Sequence, residues 1–196
     1  MGVNASTASG GSPAQEPSNW NLPNVLTCLR IVFVPVFAWL TLRAENSHAG
    51  GMWAAFGLFA VLMATDKLDG DIARSRGLVT DFGKIADPIA DKALMITALV
   101  CLNVVGAMPV WITVVIVVRE LGITLWRMVL LRGGKVVPAS RGGKLKTVLQ
   151  SLGVALYLCP LPDWMAWPTH AVMVVAVVVT VVTGVQYVVD AQRQKS

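Results

Sequence analysis

Charged residues are scarce in this chain of 196 residues, where aspartate, glutamate, lysine and arginine together make up only 14%. An average globular domain has about 25% charged residues. Hydrophobic residues reach 55%, and a water-soluble fold of this size cannot bury so much apolar surface, because small domains leave much of their surface exposed. The shortage of charge therefore excludes a disordered chain and, despite a net charge of +5, a soluble nucleic-acid-binding protein. It predicts an integral membrane protein.

Cysteine is also rare. The three cysteines, Cys28, Cys101 and Cys159, each stand alone in a different apolar segment. This spacing excludes a secreted disulfide scaffold, and it is more typical of small buried side chains than of metal or redox ligands.

Six segments are long and apolar enough to cross a bilayer, which takes about 20 residues per helix. They cover residues 25–43, 52–76, 82–103, 109–131, 144–160 and 168–190. Residues 1–18 are rich in serine, glycine, alanine and proline, which predicts a disordered tail. We therefore expect an all-α integral membrane protein in which residues 19–190 form one domain of six transmembrane helices and residues 191–196 form a cytoplasmic C-terminal tail.

The basic residues indicate how these helices are oriented, because cytoplasmic loops of membrane proteins carry an excess of lysine and arginine. Six helices place both termini on one side, and that side carries eleven basic residues at its loops and helix ends, against only Arg43 on the other. We therefore expect both termini and a polar cavity to face the cytoplasm. The two histidines, His48 and His170, then lie toward the other side, so acid–base chemistry at the cytoplasmic side must use other groups.

Six of the eleven acidic residues fall between positions 66 and 91, an unusual density for a hydrophobic chain. At about 100° per residue, Asp66 and Asp69 share one face of the second helix, and Asp87 and Asp91 form an i, i+4 pair on the third. Folding the two helices back at residues 76–80 sets Asp69 near Asp87 and Asp66 near Asp91. The sequence therefore predicts four converging carboxylates.

Converging carboxylates need a counter-charge, because they repel one another and a charge at bilayer depth costs at least about 2.5 to 3.5 kcal/mol. Oxygen-only ligands suit Mg²⁺ or Mn²⁺ rather than zinc, and two such ions can clamp a pyrophosphate. Plain solvation near the helix ends is the alternative, which we prefer for Asp71 and Asp81. A divalent cation transporter is another interpretation of carboxylates inside membrane helices.

A second group of charges is suited to an anionic ligand. Arg119 and Glu120 lie well inside the fourth predicted helix, where ionisable residues usually have a function. Arg141 and Lys144 follow on the same predicted side of the membrane. Since basic side chains bind phosphomonoesters by charge-assisted hydrogen bonds, Arg119, Arg141 and Lys144 are predicted to hold such a group. Simple positive-inside residues are the alternative, which we prefer for Arg132, Lys135 and Lys146.

The acidic segment resembles a family signature. The pattern Asp66-x2-Asp69-Gly70-x2-Ala73-Arg74-x8-Gly83-x3-Asp87-x3-Asp91 matches every fixed position of the CDP-alcohol phosphatidyltransferases. The resemblance implies a membrane enzyme, usually a homodimer, that uses divalent metals to transfer a phosphatidyl group from CDP-diacylglycerol to an alcohol, releasing CMP. It also implies that the four aspartates are metal ligands and that Asp91 is the proton acceptor. The positions that it assigns to the CDP-diacylglycerol site are Pro23, Asn24, Asp69, Gly70, Ala73, Arg74 and Thr80.

Segments outside the signature indicate the acceptor. Residues 24–30, the pair Arg119-Glu120 and residues 140–147 resemble the phosphatidylglycerophosphate synthase branch of the family, in which the acceptor is glycerol 3-phosphate. Inositol phosphate and phosphatidylglycerol, the latter giving cardiolipin, are the alternative acceptors. Arg30 is a weaker candidate for a phosphate contact. The expected partners are thus CDP-diacylglycerol, glycerol 3-phosphate, the lipids of a bacterial cell membrane and a second copy of the chain.

Overall fold

Nearly all of the chain that can be described is helical. The computed structural model describes residues 21–44, 50–75, 80–132 and 141–193. Within this part lie six α-helices: α1 Leu22–Ala44, α2 Gly50–Ser75, α3 Asp81–Val104, α4 Val110–Arg132, α5 Arg141–Leu158 and α6 Ala166–Arg193, the last preceded by a 3-10 turn at Asp163–Met165. The predicted all-α fold is confirmed. The predicted tail at residues 1–18 lies outside the described residues, as do residues 194–196, whereas residues 191–193 belong to α6.

The helices have the apolar surface of a membrane protein. Three stretches in the described chain are long and apolar enough to cross a bilayer, namely Leu22–Ala44, Gly50–Ala73 and Asp163–Asp190. Charged residues interrupt the apolar sequence of α3, α4 and α5. Each of the six helices nevertheless exposes large apolar side chains, among them, from α1 to α6, Val32, Val61, Ile85, Val118, Val148 and Val178. So much outward-facing apolar surface belongs in lipid.

The core is built from apolar side chains of all six helices. Phe37 of α1 packs against Phe59 of α2 with ring centroids 5.8 Å apart. The other helices contribute the fully buried side chains Leu94, Leu99, Ile112, Ile116, Val154 and Met173. Helix α1 packs mainly against α2 and α3, while α6 packs against α4 and α5. The first of these groups sets the relative positions of α2 and α3, the two helices that carry the acidic residues.

Candidate functional site

The starts of α1 and α3 are joined by hydrogen bonds. Thr80 caps α3, since its Oγ1 accepts a hydrogen bond from the backbone N–H of Gly83 at 3.1 Å. Asn24, in the first turn of α1, donates through Nδ2 to the same Oγ1 at 2.8 Å. Asn24 and Thr80 are both buried. This pair therefore fixes where α3 begins relative to α1, a role that the sequence did not reveal for either residue.

Gly83 allows this close approach because it has no side chain. A Cβ added at Gly83 would lie 2.9 Å from Asn24 Oδ1 and 3.3 Å from Thr80 Oγ1. The Thr80 hydroxyl also donates to Asn24 Oδ1 at 3.1 Å, so neither atom can move away without disturbing the buried pair. Gly83 of the signature is thus explained by the lack of space for a side chain at this position.

We expect Gly83→Ala to destabilise the protein by about 1 to 3 kcal/mol, which is typical of an overpacked site. The measurement is the midpoint of thermal unfolding in detergent. Gly57→Ala is the matched control, because an added Cβ there meets nothing within 4 Å and alanine favours the helix. A Gly83→Ala midpoint as high as that of the control would contradict the steric role.

Four aspartates line one pocket beside α2 and α3, as the helical faces predict. The pocket has a volume of about 450 Å³, and its walls are Asp66, Lys67, Asp69, Gly70, Asp87, Pro88, Asp91 and Lys92. Asp66 interacts electrostatically with the other three aspartates, and Asp69 interacts with Asp87. The structure therefore brings together all four predicted metal ligands.

Helix α1 holds three of these carboxylates. The guanidinium of Arg30 lies with Nη1 2.7 Å from Asp66 Oδ1 and donates through Nη2 to Asp69 Oδ2 at 2.6 Å. Thr27, one turn earlier, donates to Asp87 Oδ1 at 2.5 Å. Arg30, the weaker candidate for a phosphate contact, is thus an ion-pair partner of two signature aspartates.

The donor atoms of the pocket fit a hard divalent cation. In the part of the chain that the structure describes, no three aspartate, glutamate, histidine or cysteine side chains are grouped tightly enough to form a ready set of metal ligands. Arg30 and Thr27, however, each engage a carboxylate through one oxygen only, which leaves the second oxygen of that carboxylate unused by the contact. Carboxylate oxygens are nonetheless the ligands that Mg²⁺ and Mn²⁺ prefer, so the chemistry of the donor set suits such an ion.

Four of the seven residues predicted to bind CDP-diacylglycerol fall in two groups. Asp69 and Gly70 line the pocket, whereas Asn24 and Thr80 surround Gly83, with Asp87 Oδ2 on the same side of that glycine. Three further positions are Pro23 and Ala73, which are buried, and Arg74, whose side chain lies outside the described residues.

Arg119, predicted to bind a phosphate, points toward α6 instead of the pocket. Its Nε donates to the backbone oxygen of Thr180 at 3.1 Å, and its Nη2 donates to Thr183 Oγ1 at 3.2 Å. Gly184 leaves room for the arginine stem, since an added Cβ would lie 3.2 Å from Arg119 Cγ. Lys144 is exposed on α5, and the side chain of Arg141 is outside the described residues. Their role in phosphate binding stays a prediction.

Three lysines that were not predicted as site residues line the pocket or interact with its carboxylates. Lys67 and Lys92 line the pocket, and each directly follows a signature aspartate, a signal that could have identified them. Lys146 is buried and donates to Glu120, and it interacts electrostatically with Asp91. The positive-inside rule had suggested a plain loop residue, but Lys146 and Arg119 are both hydrogen-bond partners of Glu120, which lies well inside α4.

Known proteins are similar in sequence to most of this chain. The model of the family described as CDP-alcohol phosphatidyltransferase matches residues 20–182. A Mycobacterium tuberculosis protein named "probable phosphatidylglycerophosphate synthase" is 44% identical over 173 residues, which cover 88% of this chain and 82% of that protein. Two proteins named "CDP-diacylglycerol–glycerol-3-phosphate 3-phosphatidyltransferase" are also similar. The Bacillus subtilis protein is 38% identical over 180 residues (86% and 93% of the two chains), and the Pseudomonas fluorescens protein is 33% identical over 175 (85% and 88%).

Proposed function

Because the chain belongs to the CDP-alcohol phosphatidyltransferase family, we propose that it transfers the phosphatidyl group of CDP-diacylglycerol to glycerol 3-phosphate and releases CMP. The observation that carries this proposal is the convergence of the four signature aspartates on one pocket. The names of its relatives specify this donor and this acceptor. The product is phosphatidylglycerophosphate, and the activity belongs to phospholipid biosynthesis.

The four aspartates hold two divalent ions, Mg²⁺ or Mn²⁺, in this proposal. When bound, such ions neutralise the pyrophosphate and stabilise the charge that develops on the CMP leaving group. Arg30 and Thr27 orient the carboxylates from α1. The donor lies against the residues assigned to CDP-diacylglycerol: Pro23, Asn24, Asp69, Gly70, Ala73, Arg74 and Thr80.

Asp91 is the general base. The primary hydroxyl of glycerol 3-phosphate attacks the phosphorus that carries the diacylglycerol, and the new P–O bond forms as the bond to the CMP oxygen breaks. The hydroxyl proton passes to the Asp91 carboxylate, while CMP leaves with the bonding electrons. His170 is not available for this step. Its Nδ1 lies 2.5 Å from the hydroxyl of Tyr157, where α5 ends and α6 begins. A pocket carboxylate can supply general-base catalysis instead.

Arg119, Arg141 and Lys144 bind the phosphate of the acceptor in this proposal, which requires Arg119 to exchange its hydrogen bonds to Thr180 and Thr183 of α6 for the phosphate. The support is that one oxygen of Glu120 accepts hydrogen bonds from both Arg119 and Lys146, and that Asp91 interacts electrostatically with Lys146 and Glu120. The charged groups of α4 and α5 thus interact with the proposed base. A phosphate held there aims the acceptor hydroxyl at Asp91, which lowers the entropic cost of the reaction.

All six helices span a bacterial cell membrane, with both termini and the pocket on the cytoplasmic side, and two copies form a homodimer. The apolar side chains exposed on every helix support the six spans. The eleven-to-one distribution of basic residues supports the orientation.

The proposed acceptor is tested with purified protein, labelled CDP-diacylglycerol, Mg²⁺ and one acceptor at a time, with products separated by thin-layer chromatography. We expect phosphatidylglycerophosphate from glycerol 3-phosphate, and little product from glycerol or myo-inositol, which lack the phosphate. Faster consumption of inositol phosphate or phosphatidylglycerol would overturn the choice of acceptor while leaving the family assignment intact.

The same assay tests the phosphate ligands. A charge-assisted hydrogen bond contributes about 1.5 to 3 kcal/mol, so Lys144→Gln should raise the KM for glycerol 3-phosphate by roughly 10- to 100-fold. The KM for CDP-diacylglycerol should barely change. Equal increases in both KM values would argue against a contact specific to the acceptor.

Orientation is tested by labelling single cysteines in a variant in which Cys28, Cys101 and Cys159 are replaced by serine. Ser75→Cys places a thiol at the exposed end of α2, near the pocket, and Trp164→Cys places one at the exposed turn before α6, at the other end of the helices. In intact cells, a maleimide that cannot cross the membrane should label only the Trp164→Cys protein. The reverse labelling pattern would invert the proposed orientation.

A further inference from the structure

Arg30 brings a buried positive charge to the carboxylates from a helix outside the signature. Its side chain is 1% exposed, and its two Nη atoms lie 2.7 Å from Asp66 Oδ1 and 2.6 Å from Asp69 Oδ2. Among the residues that the structure describes, Asp69 is the one hydrogen-bond acceptor of this guanidinium, and Nη1 contacts Asp66 as an ion pair, while Nε has no partner. The charge of Arg30 is therefore balanced by these two carboxylates.

The approach of Arg30 leaves the pocket open. Arg30 is not among the residues that line the pocket, although both of its partners are. The guanidinium thus contacts Asp66 and Asp69 from outside the pocket lining, through one oxygen of each. Arg30 therefore does not occupy the pocket that the two carboxylates line.

Burial makes the charge balance of this cluster important. Removing one partner from a buried ion pair strongly destabilises a protein, because the other charge stays buried without compensation. Four carboxylates share the pocket, and Asp66 interacts with the other three. Without any cation, their mutual repulsion would favour separation of the carboxylates that α2 and α3 bring to the pocket.

We propose that Arg30 is a permanent counter-ion that keeps Asp66 and Asp69 in place when no metal is bound. This inference rests on the proposed function only in taking the carboxylates to bind divalent ions. Arg30 is a positioning residue, since it acts through the two aspartates. Its consequence is that the protein can release and reload its ions while the pocket remains assembled.

The test is thermal unfolding of the full chain in detergent, with EDTA or with saturating Mg²⁺. In EDTA, Arg30→Gln should unfold about 10 °C below the unmodified protein, from the cost of an uncompensated buried charge. Mg²⁺ should restore much of this loss, so the rise caused by Mg²⁺ should be larger in Arg30→Gln than in the unmodified protein. Arg30→Lys, which keeps the charge, should show a smaller loss in EDTA.

Arg43→Gln is the matched control, because Arg43 is an exposed residue near the other end of α1, where its guanidinium lies over the Trp39 ring. Its response to Mg²⁺ should equal that of the unmodified protein. If Mg²⁺ stabilises the unmodified protein but Arg30→Gln loses the same amount in EDTA and in Mg²⁺, Arg30 only fills space, and the proposal is wrong.

A second measurement needs no metal. In EDTA, the double variant Arg30→Gln/Asp69→Asn should unfold at a higher temperature than Arg30→Gln alone, because it removes an uncompensated buried charge. A lower temperature would overturn the proposal. If the double variant behaves as expected but Mg²⁺ stabilises none of the proteins, the metal site of the proposed function fails while the counter-ion role of Arg30 stands.

Discussion

Asp87→Ala should reduce phosphatidyl transfer by at least about 1000-fold, because it removes a carboxylate proposed to hold the ions that stabilise the developing charge. Asp87 lines the pocket, and Thr27 holds its Oδ1. The rate of CMP release at saturating concentrations of both substrates measures the loss. Isothermal calorimetry with a cytidine nucleotide should show that Mg²⁺-dependent binding is lost as well.

Asp71→Ala is the matched control for Asp87→Ala. Asp71 belongs to the same acidic segment, but it is exposed and does not line the pocket. Its replacement should leave turnover and Mg²⁺-dependent nucleotide binding close to those of the unmodified protein. Similar losses in the two variants would mean that the acidic segment acts through its overall charge, not through a metal site built from Asp66, Asp69, Asp87 and Asp91.

Asp91→Asn should lower kcat by about 100- to 10,000-fold, the usual contribution of a general base. Asparagine keeps the size of the side chain and one oxygen that can contact a metal, but it cannot accept the hydroxyl proton. Binding of CDP-diacylglycerol should therefore weaken by much less than kcat falls. The comparison requires kcat from CMP release and the dissociation constant of CDP-diacylglycerol for the same preparation.

Two results would count against Asp91 as the base. Turnover near that of the unmodified protein would eliminate it directly. A loss of donor binding as large as the loss of kcat would show that Asp91 acts mainly as a ligand. Lys92→Gln is a useful comparison with Asp91→Asn. Lys92 also lines the pocket and interacts electrostatically with Asp91, but a lysine cannot act as the carboxylate base.

The convergence of the aspartates could be predicted because it depends on local geometry. Helical periodicity alone places Asp66 with Asp69 and Asp87 with Asp91, and a short connection between two helices brings the faces together. Both requirements can be met within residues 66–91. The structure agrees, with all four aspartates in the lining of one pocket.

The partners of these carboxylates could not be predicted in the same way. Thr27 lies 60 positions from Asp87, and Arg30 lies 39 positions from Asp69. Their contacts depend on how α1 packs against α2 and α3, which is decided by side chains such as Phe37 and Phe59. Helical periodicity places Asn24, Thr27 and Arg30 on one face of α1, but nothing in residues 24–30 specifies that this face meets α2 and α3.

The sequence by itself determined that this is a helical membrane protein and that four carboxylates share a site. These properties follow from hydropathy and helical periodicity, which are properties of short segments. Only the tertiary structure decided which cation meets which anion. Arg30 pairs with two aspartates, Lys146 pairs with Glu120, and Arg119 turns to α6. Long basic side chains can reach several neighbouring helices, so their partners are selected by packing between segments far apart in the chain.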